Sequence, residues 1–186
     1  MKAQEIVQLL ENPPDDGGWP IVQKVIDEAS STELIAAMYE PDSSLETRDT
    51  LCSIFGYRKD TQAVPLLLEI LHDPSPRLRG SAAEALAKIE APEAGKELLA
   101  QYLTEENQGI KEWYIIALGA VGYRPAIPSL IQALNVEHLR RYAALALGNL
   151  KAIEAKEAMQ QALAQETDSY TAKLIQQGLS LLDEVS

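Results

Sequence analysis

The chain has 186 residues, 46% of them hydrophobic, enough to bury a sizeable core. Its 28 acidic and 16 basic residues leave a net charge of −12, a sign that repels phosphate and argues against nucleic acid as a ligand. A single cysteine, Cys52, excludes an internal disulfide framework, and nowhere do about eighteen apolar residues run together to span a bilayer.

Apolar residues recur at three and four positions rather than two, so the pattern is helical throughout. Residues 1–29 read as a helix around 3–10, a loop at 12–18 and a helix around 21–29. This stretch is a divergent N-terminal cap, and it begins the acidic end, since residues 1–50 hold 11 acidic and 3 basic side chains. From residue 30 to 186 the chain repeats itself as about five helical hairpins in one domain. Ser30 with Glu33 three residues later forms a capping box for the first of them. Glu40-Pro41-Asp42-Ser43-Ser44 and Asp73-Pro74-Ser75-Pro76 are turns by their chemistry. Pro65 and Pro128 belong in first helical turns, with starts near Gln62 and Pro125.

The second helix of each hairpin carries a small residue late in its length, at Gly56, Ala87, Gly119, Gly148 and Ser180, with spacings of 31, 32, 29 and 32. Such a slot is expected where neighbouring helices approach closely. Leucine at Gly119 or Gly148 should then overpack the stack. Alanine at Gly148 is expected to be mild, because Ala87 fills the equivalent place.

The turn Asp73-Pro74-Ser75-Pro76-Arg77-Leu78-Arg79, followed by Ala82-Ala83 and Ala85-Leu86-Ala87, resembles the HEAT-like repeats of the phycobilisome-lyase type. Leu139-Arg140 with Ala143-Ala144 and Ala146-Leu147-Gly148 fits the same pattern. The resemblance implies an all-α, right-handed α-α superhelix whose second helices line a concave face. It also implies a link to proteins that attach bilin pigments to phycobiliproteins or assist phycobilisome turnover, alongside many scaffold and adaptor roles.

Residues that could carry chemistry are few. Cys52 sits at a core slot, His72 at the end of a first helix, and His138 at the start of a second helix three hairpins away from Cys52. No glycine-rich phosphate loop, metal-ligand spacing or nucleophile motif appears. Arg48, Arg79, Lys111 and Arg140 share one slot, where a cation is expected to tie a turn to its neighbour. Between the core positions of the last three second helices stand Trp113, Ile116, Arg141, Tyr142, Leu145, Lys173 and Leu174, an apolar patch with flanking cations that has the makings of a binding hot spot.

The leading expectation is a non-catalytic interaction module, cytoplasmic because no signal-peptide pattern opens the chain, without cofactor or metal, binding a protein partner through this face. The alternative is a phycocyanobilin lyase subunit or phycobilisome-associated chaperone, in which Arg141 and Lys173 beside Tyr142 and Trp113 meet the propionates of a tetrapyrrole.

Overall fold

The computed structural model describes residues 1–12 and 19–183. The loop expected at 12–18 falls, beyond Asn12, outside the described residues. Described residues form helices and their connections, with no strand among them. They divide into two compact units, Met1–Ile89 and Glu90–Ser186.

The first unit holds α1 (Ala3–Glu11), α2 (Trp19–Glu28) and two hairpins, α3 (Ser31–Met38) with α4 (Leu45–Tyr57) and α5 (Val64–Ile70) with α6 (Pro76–Ile89). The second holds three, α7 (Gly95–Thr104) with α8 (Gln108–Ala120), α9 (Ile127–Ala133) with α10 (Glu137–Asn149), and α11 (Lys156–Gln165) with α12 (Ser169–Asp183). Second helices pack side by side, α4 against α6 in one unit and α8, α10 and α12 in series in the other. Their inner sides supply the core: Leu51, Phe55 and Leu86 in the first unit, and Tyr114, Leu118, Leu147 and Ile175 in the second, are all inaccessible to water.

The helix starts follow the side chains that satisfy free amides. The Ser30 hydroxyl accepts from the Glu33 amide at 3.3 Å while the Glu33 carboxylate accepts from the Ser30 amide at 2.7 Å, closing the capping box. Pro65 and Pro128 stand in the first turns of α5 and α9, where no amide is needed. A short 3-10 turn precedes each, Thr61–Ala63 and Arg124–Ala126, so the α-helices themselves begin slightly later than Gln62 and Pro125 suggested. Four second helices, α4, α6, α8 and α10, end on a residue in the left-handed region: Lys59 (φ 49°), Glu90 (61°), Gly122 (72°) and Lys151 (51°). At three of these stops the next amide reaches back to a carbonyl of the last turn, Asp60 to Phe55 (2.9 Å), Tyr123 to Leu118 (3.2 Å) and Ala152 to Leu147 (3.0 Å).

The small-residue slot is where second helices touch backbone to backbone. A Cβ at Gly119 would lie 2.7 Å from Ala146 Cα, one at Gly148 would lie 2.8 Å from the Gly178 carbonyl oxygen, and one at Gly56 would lie 3.0 Å from Ala85 Cα. In each case the slot residue of one helix meets the residue two places before the slot of the next, so Gly148 meets Gly178 rather than Ser180. Ser180 itself is exposed, because among the described residues no helix packs on the outer side of α12. Gly178, absent from the sequence reading, is tighter than these three: a Cβ there would collide with the Ala144 carbonyl oxygen.

This geometry corrects the expectation that alanine is mild at Gly148. The clash is with backbone, which cannot swing aside as a long side chain can. Gly119→Ala and Gly148→Ala should each lower stability by about 1–3 kcal/mol in urea melts, and Gly56→Ala by less. Equal midpoints for Gly148→Ala and the parent would show that the stack relaxes more freely than its contacts imply.

Candidate functional site on three second helices

Three second helices of the unit spanning 90–186 present matched rows of side chains. Glu112, Arg141 and Lys173 form the first row, Trp113, Tyr142 and Leu174 the second, and Ile116, Leu145 and Gln177 the third. Because α10 packs on both α8 and α12, each row runs across three adjacent helices. None of these residues is buried; Trp113 is 36% exposed, Lys173 is exposed, and Ile116, Arg141, Tyr142, Leu145 and Leu174 are half-buried. Arg141 lies over Tyr142, its guanidinium carbon 4.5 Å from the ring centroid, and donates to the Tyr142 hydroxyl at 2.7 Å. Tyr170, 60% exposed, stands at the start of α12. Lys173 has no partner among the described residues.

The corresponding rows in the first unit are closed on themselves. Asp49 receives Arg77 Nε at 2.8 Å and Nη2 at 2.6 Å together with the Ser81 hydroxyl, and Glu84 pairs with Lys88 at 2.7 Å. Its polar groups leave nothing apolar to cover. The second unit instead exposes aromatic and aliphatic surface with unspent donors, the composition that drives protein association.

Beside this face an open depression of about 300 Å3 is lined by Glu137, His138, Arg141, Glu166, Asp168 and Thr171. Three carboxylates face one guanidinium there, so the depression does not favour a ligand bearing two propionates. Arg141 therefore looks toward acids on one side and toward Tyr142 on the other, while Lys173 does not line the depression. His138 is held by Gln108, 2.9 Å away on α8.

The shared cation slot, the fourth residue of each of these second helices, ties turns together. Arg79 Nη1 donates to the carbonyls of Asp73 (2.9 Å) and Pro74 (3.2 Å), and Arg140 donates to Leu134 O (2.8 Å) and to Glu166 (2.6 Å). Lys111 lies 5.5 Å from the Tyr102 ring centroid instead. Sequence reasoning missed the acids that complete this device. Glu105 and Glu166, each three residues before its second helix, accept the two following amides: Glu106 and Asn107 at 3.1 and 2.9 Å, Thr167 and Asp168 at 2.9 Å each. The signal was present as an acid three residues ahead of a helix start.

No group of His, Cys, Asp and Glu suited to a metal occurs among the described residues, and no helix there is long and apolar enough to cross a membrane. Cys52 is inaccessible, and burial pushes its thiol up to about 12, so it is no nucleophile at neutral pH. His72 is exposed just past the end of α5.

The family model for HEAT repeats matches residues 31–119 and 95–180. Over 148 residues the chain is 30% identical to the phycobilisome maturation protein of Synechococcus elongatus, spanning 77% of this chain and 69% of that one. The chain is a HEAT-repeat protein of the phycobilisome-lyase type. A shorter stretch of this HEAT-like protein, 68 residues, is 38% identical to the bilin biosynthesis protein PecE of Mastigocladus laminosus, covering 37% of the chain and 25% of PecE. Its fold is shared with a designed armadillo repeat protein (TM-score 0.66, 18% identity, 97% and 100% of the two chains). The complex of CpcE and CpcF of phycocyanin lyase from Nostoc sp. has the same fold (TM-score 0.53, 19% identity, 98% and 95%).

In the HEAT-like protein, the Asp168 amide and then the Arg140 guanidinium hold the Glu166 carboxyl below its ordinary value of 4.5. A depressed carboxyl adds stability that is complete above the unfolded value and disappears as the pH falls through the folded one. Glu166→Gln should accordingly lower the urea midpoint at pH 7, with the gap to the parent narrowing as the pH drops below about 4.5. A gap that stays constant into acid would remove the ion pair from the account.

Proposed function

We propose that this HEAT-like protein serves phycobilisome maturation by holding a phycobiliprotein subunit while its bilin is attached, through the face bearing Trp113, Ile116, Arg141, Tyr142, Leu145, Lys173 and Leu174. The likeness to a phycobilisome maturation protein across 77% of the chain carries this choice over a general adaptor. The face supports it, since exposed aromatics and a stacked arginine fit a protein surface better than a free anion. With the Cys52 thiol buried and pushed up to about 12, a cysteine that accepts a bilin belongs to the partner.

A second reading gives the bilin itself to this face, with Arg141 and Lys173 beside Tyr142 and Trp113 as its contacts. Mixing the chain with phycocyanobilin, with and without an apo-phycobiliprotein subunit, separates the two. A stable complex with the apo-subunit and an unchanged pigment spectrum for the chain alone supports holding. A shifted spectrum without the subunit supports direct pigment binding, and no complex in either case removes both.

If the subunit binds here, Trp113→Ala and Tyr142→Ala should each weaken the complex by about 2 kcal/mol, roughly thirtyfold, with the helical circular dichroism unchanged. Ser81→Ala, on the self-paired face of the first unit, should leave binding as it is.

Residues 1–29 are proposed as the cap. Ile6 and Val7 of α1 are buried where α1 packs on α3 and α4, and Glu11 accepts the Ser44 amide at 2.8 Å. Removing them uncovers that apolar surface, so the truncated chain should associate, as light scattering would report. A truncated chain that stays monomeric and melts with the parent would make the segment an appendage.

A further inference from the structure

The fourth residue of α4 is Arg48, and it departs from its counterparts. Arg79 and Arg140 both donate to the carbonyl six residues earlier, on Asp73 and Leu134. Arg48 would need Asp42, but its turn, residues 39–44, is longer than the equivalent turns at 71–75 and 134–136. Arg48 has no hydrogen-bond or ion-pair partner among the described residues, and its Nε is shut away from solvent. A buried donor left without an acceptor is costly, and a guanidinium offers two parallel donors to any carboxylate that reaches it.

An open depression of about 260 Å3 lies beside that guanidinium. Met38, Leu66, Ile70 and Leu78, all buried, give it an apolar floor. Tyr39, 62% exposed, stands at its edge with the hydroxyl donating to Glu69 at 3.1 Å. Asp73 also lines it and already accepts the Ser75 amide at 2.7 Å. The volume is below the range of about 300–1,000 Å3 usual for drug-sized ligands. Both acids have donors; Arg48 alone lacks an acceptor. Their charge further restricts the occupant, because a second negative group would be repelled.

We infer that this depression binds a single carboxylate carried on a short apolar body, the carboxylate seated on Arg48 and the body on the floor. The assignment is independent of the face on α8, α10 and α12. The carboxylate comes either from a free small acid or from an acidic side chain between apolar neighbours on a protein.

The test follows the arginine Nε–H signals of the full nitrogen-15-labelled chain by nuclear magnetic resonance, with the Arg48 signal assigned from Arg48→Lys. One arm titrates 4-methylpentanoate against 4-methylpentanamide. The other titrates acetyl-Leu-Glu-Leu-amide against acetyl-Leu-Gln-Leu-amide. A saturable shift at Arg48 alone is expected from a carboxylate and not from its amide, and Arg48→Gln should weaken binding about tenfold or more. A response confined to the free acid assigns a small-molecule site; one confined to the peptide assigns a partner's side chain. The inference is overturned if neither arm gives a saturable shift, if the amides bind as well as the acids, or if Arg79 and Arg140 shift together with Arg48.

Discussion

Helix-to-helix contact at the level of the backbone is the constraint from which this architecture follows. Gly119 on Ala146, and Gly148 on Gly178, bring neighbouring main chains together with no room for one more carbon. At that separation the flanking side chains, Ala143, Ala144, Leu147 and Ile175 among them, are wholly shut away from water. The rows on the outer side are fixed by the same contact. Trp113, Tyr142 and Leu174 stand abreast because the three helices that carry them cannot slide along one another. The face is therefore a property of the stack rather than of any one hairpin.

Its chemistry differs between the two units for a reason that lies in single side chains. In the first, Asp49 collects Arg77 and Ser81, and every charge there has an answer within the protein. In the second, the same positions hold rings and aliphatic chains, and Arg141 sets a cation over the Tyr142 ring while both stay partly exposed. The acids near Arg141 sit at the helix starts and are occupied with amides, as Glu166 and Asp168 are. On the function proposed above, a face so arranged meets another protein rather than a small anion.

Much of this is legible in the sequence alone. The repeat, the capping box at Ser30 and the prolines of the first turns follow from local chemistry that tertiary contacts did not override. The partly exposed rows of α8, α10 and α12 were legible too, since a helix period that assigns the core also assigns its opposite. What the sequence could not convey was distance. Ala87 in the small-residue slot made alanine look tolerable at Gly148, yet the space at Gly148 depends on Gly178, thirty residues on, and on how far two backbones have closed. Arg48 was hidden for a related reason. It occupies the same slot as Arg79 and Arg140, and only the path of the preceding turn separates a tied arginine from a loose one.

The left-handed stops at Lys59, Glu90, Gly122 and Lys151 divide the chain into parts with unequal freedom. After each, the next 3-10 turn begins at a constant interval, at Thr61, Pro92, Arg124 and Ile153. The connections inside the hairpins vary instead, spanning 39–44, 71–75, 105–107, 134–136 and 166–168. One edge of each unit thus keeps time while the other can change length without breaking the rhythm. Both depressions, beside Arg48 and beside Arg141, open on the variable edge, which makes it the place where a repeat protein of this kind can acquire new chemistry without rebuilding its spine.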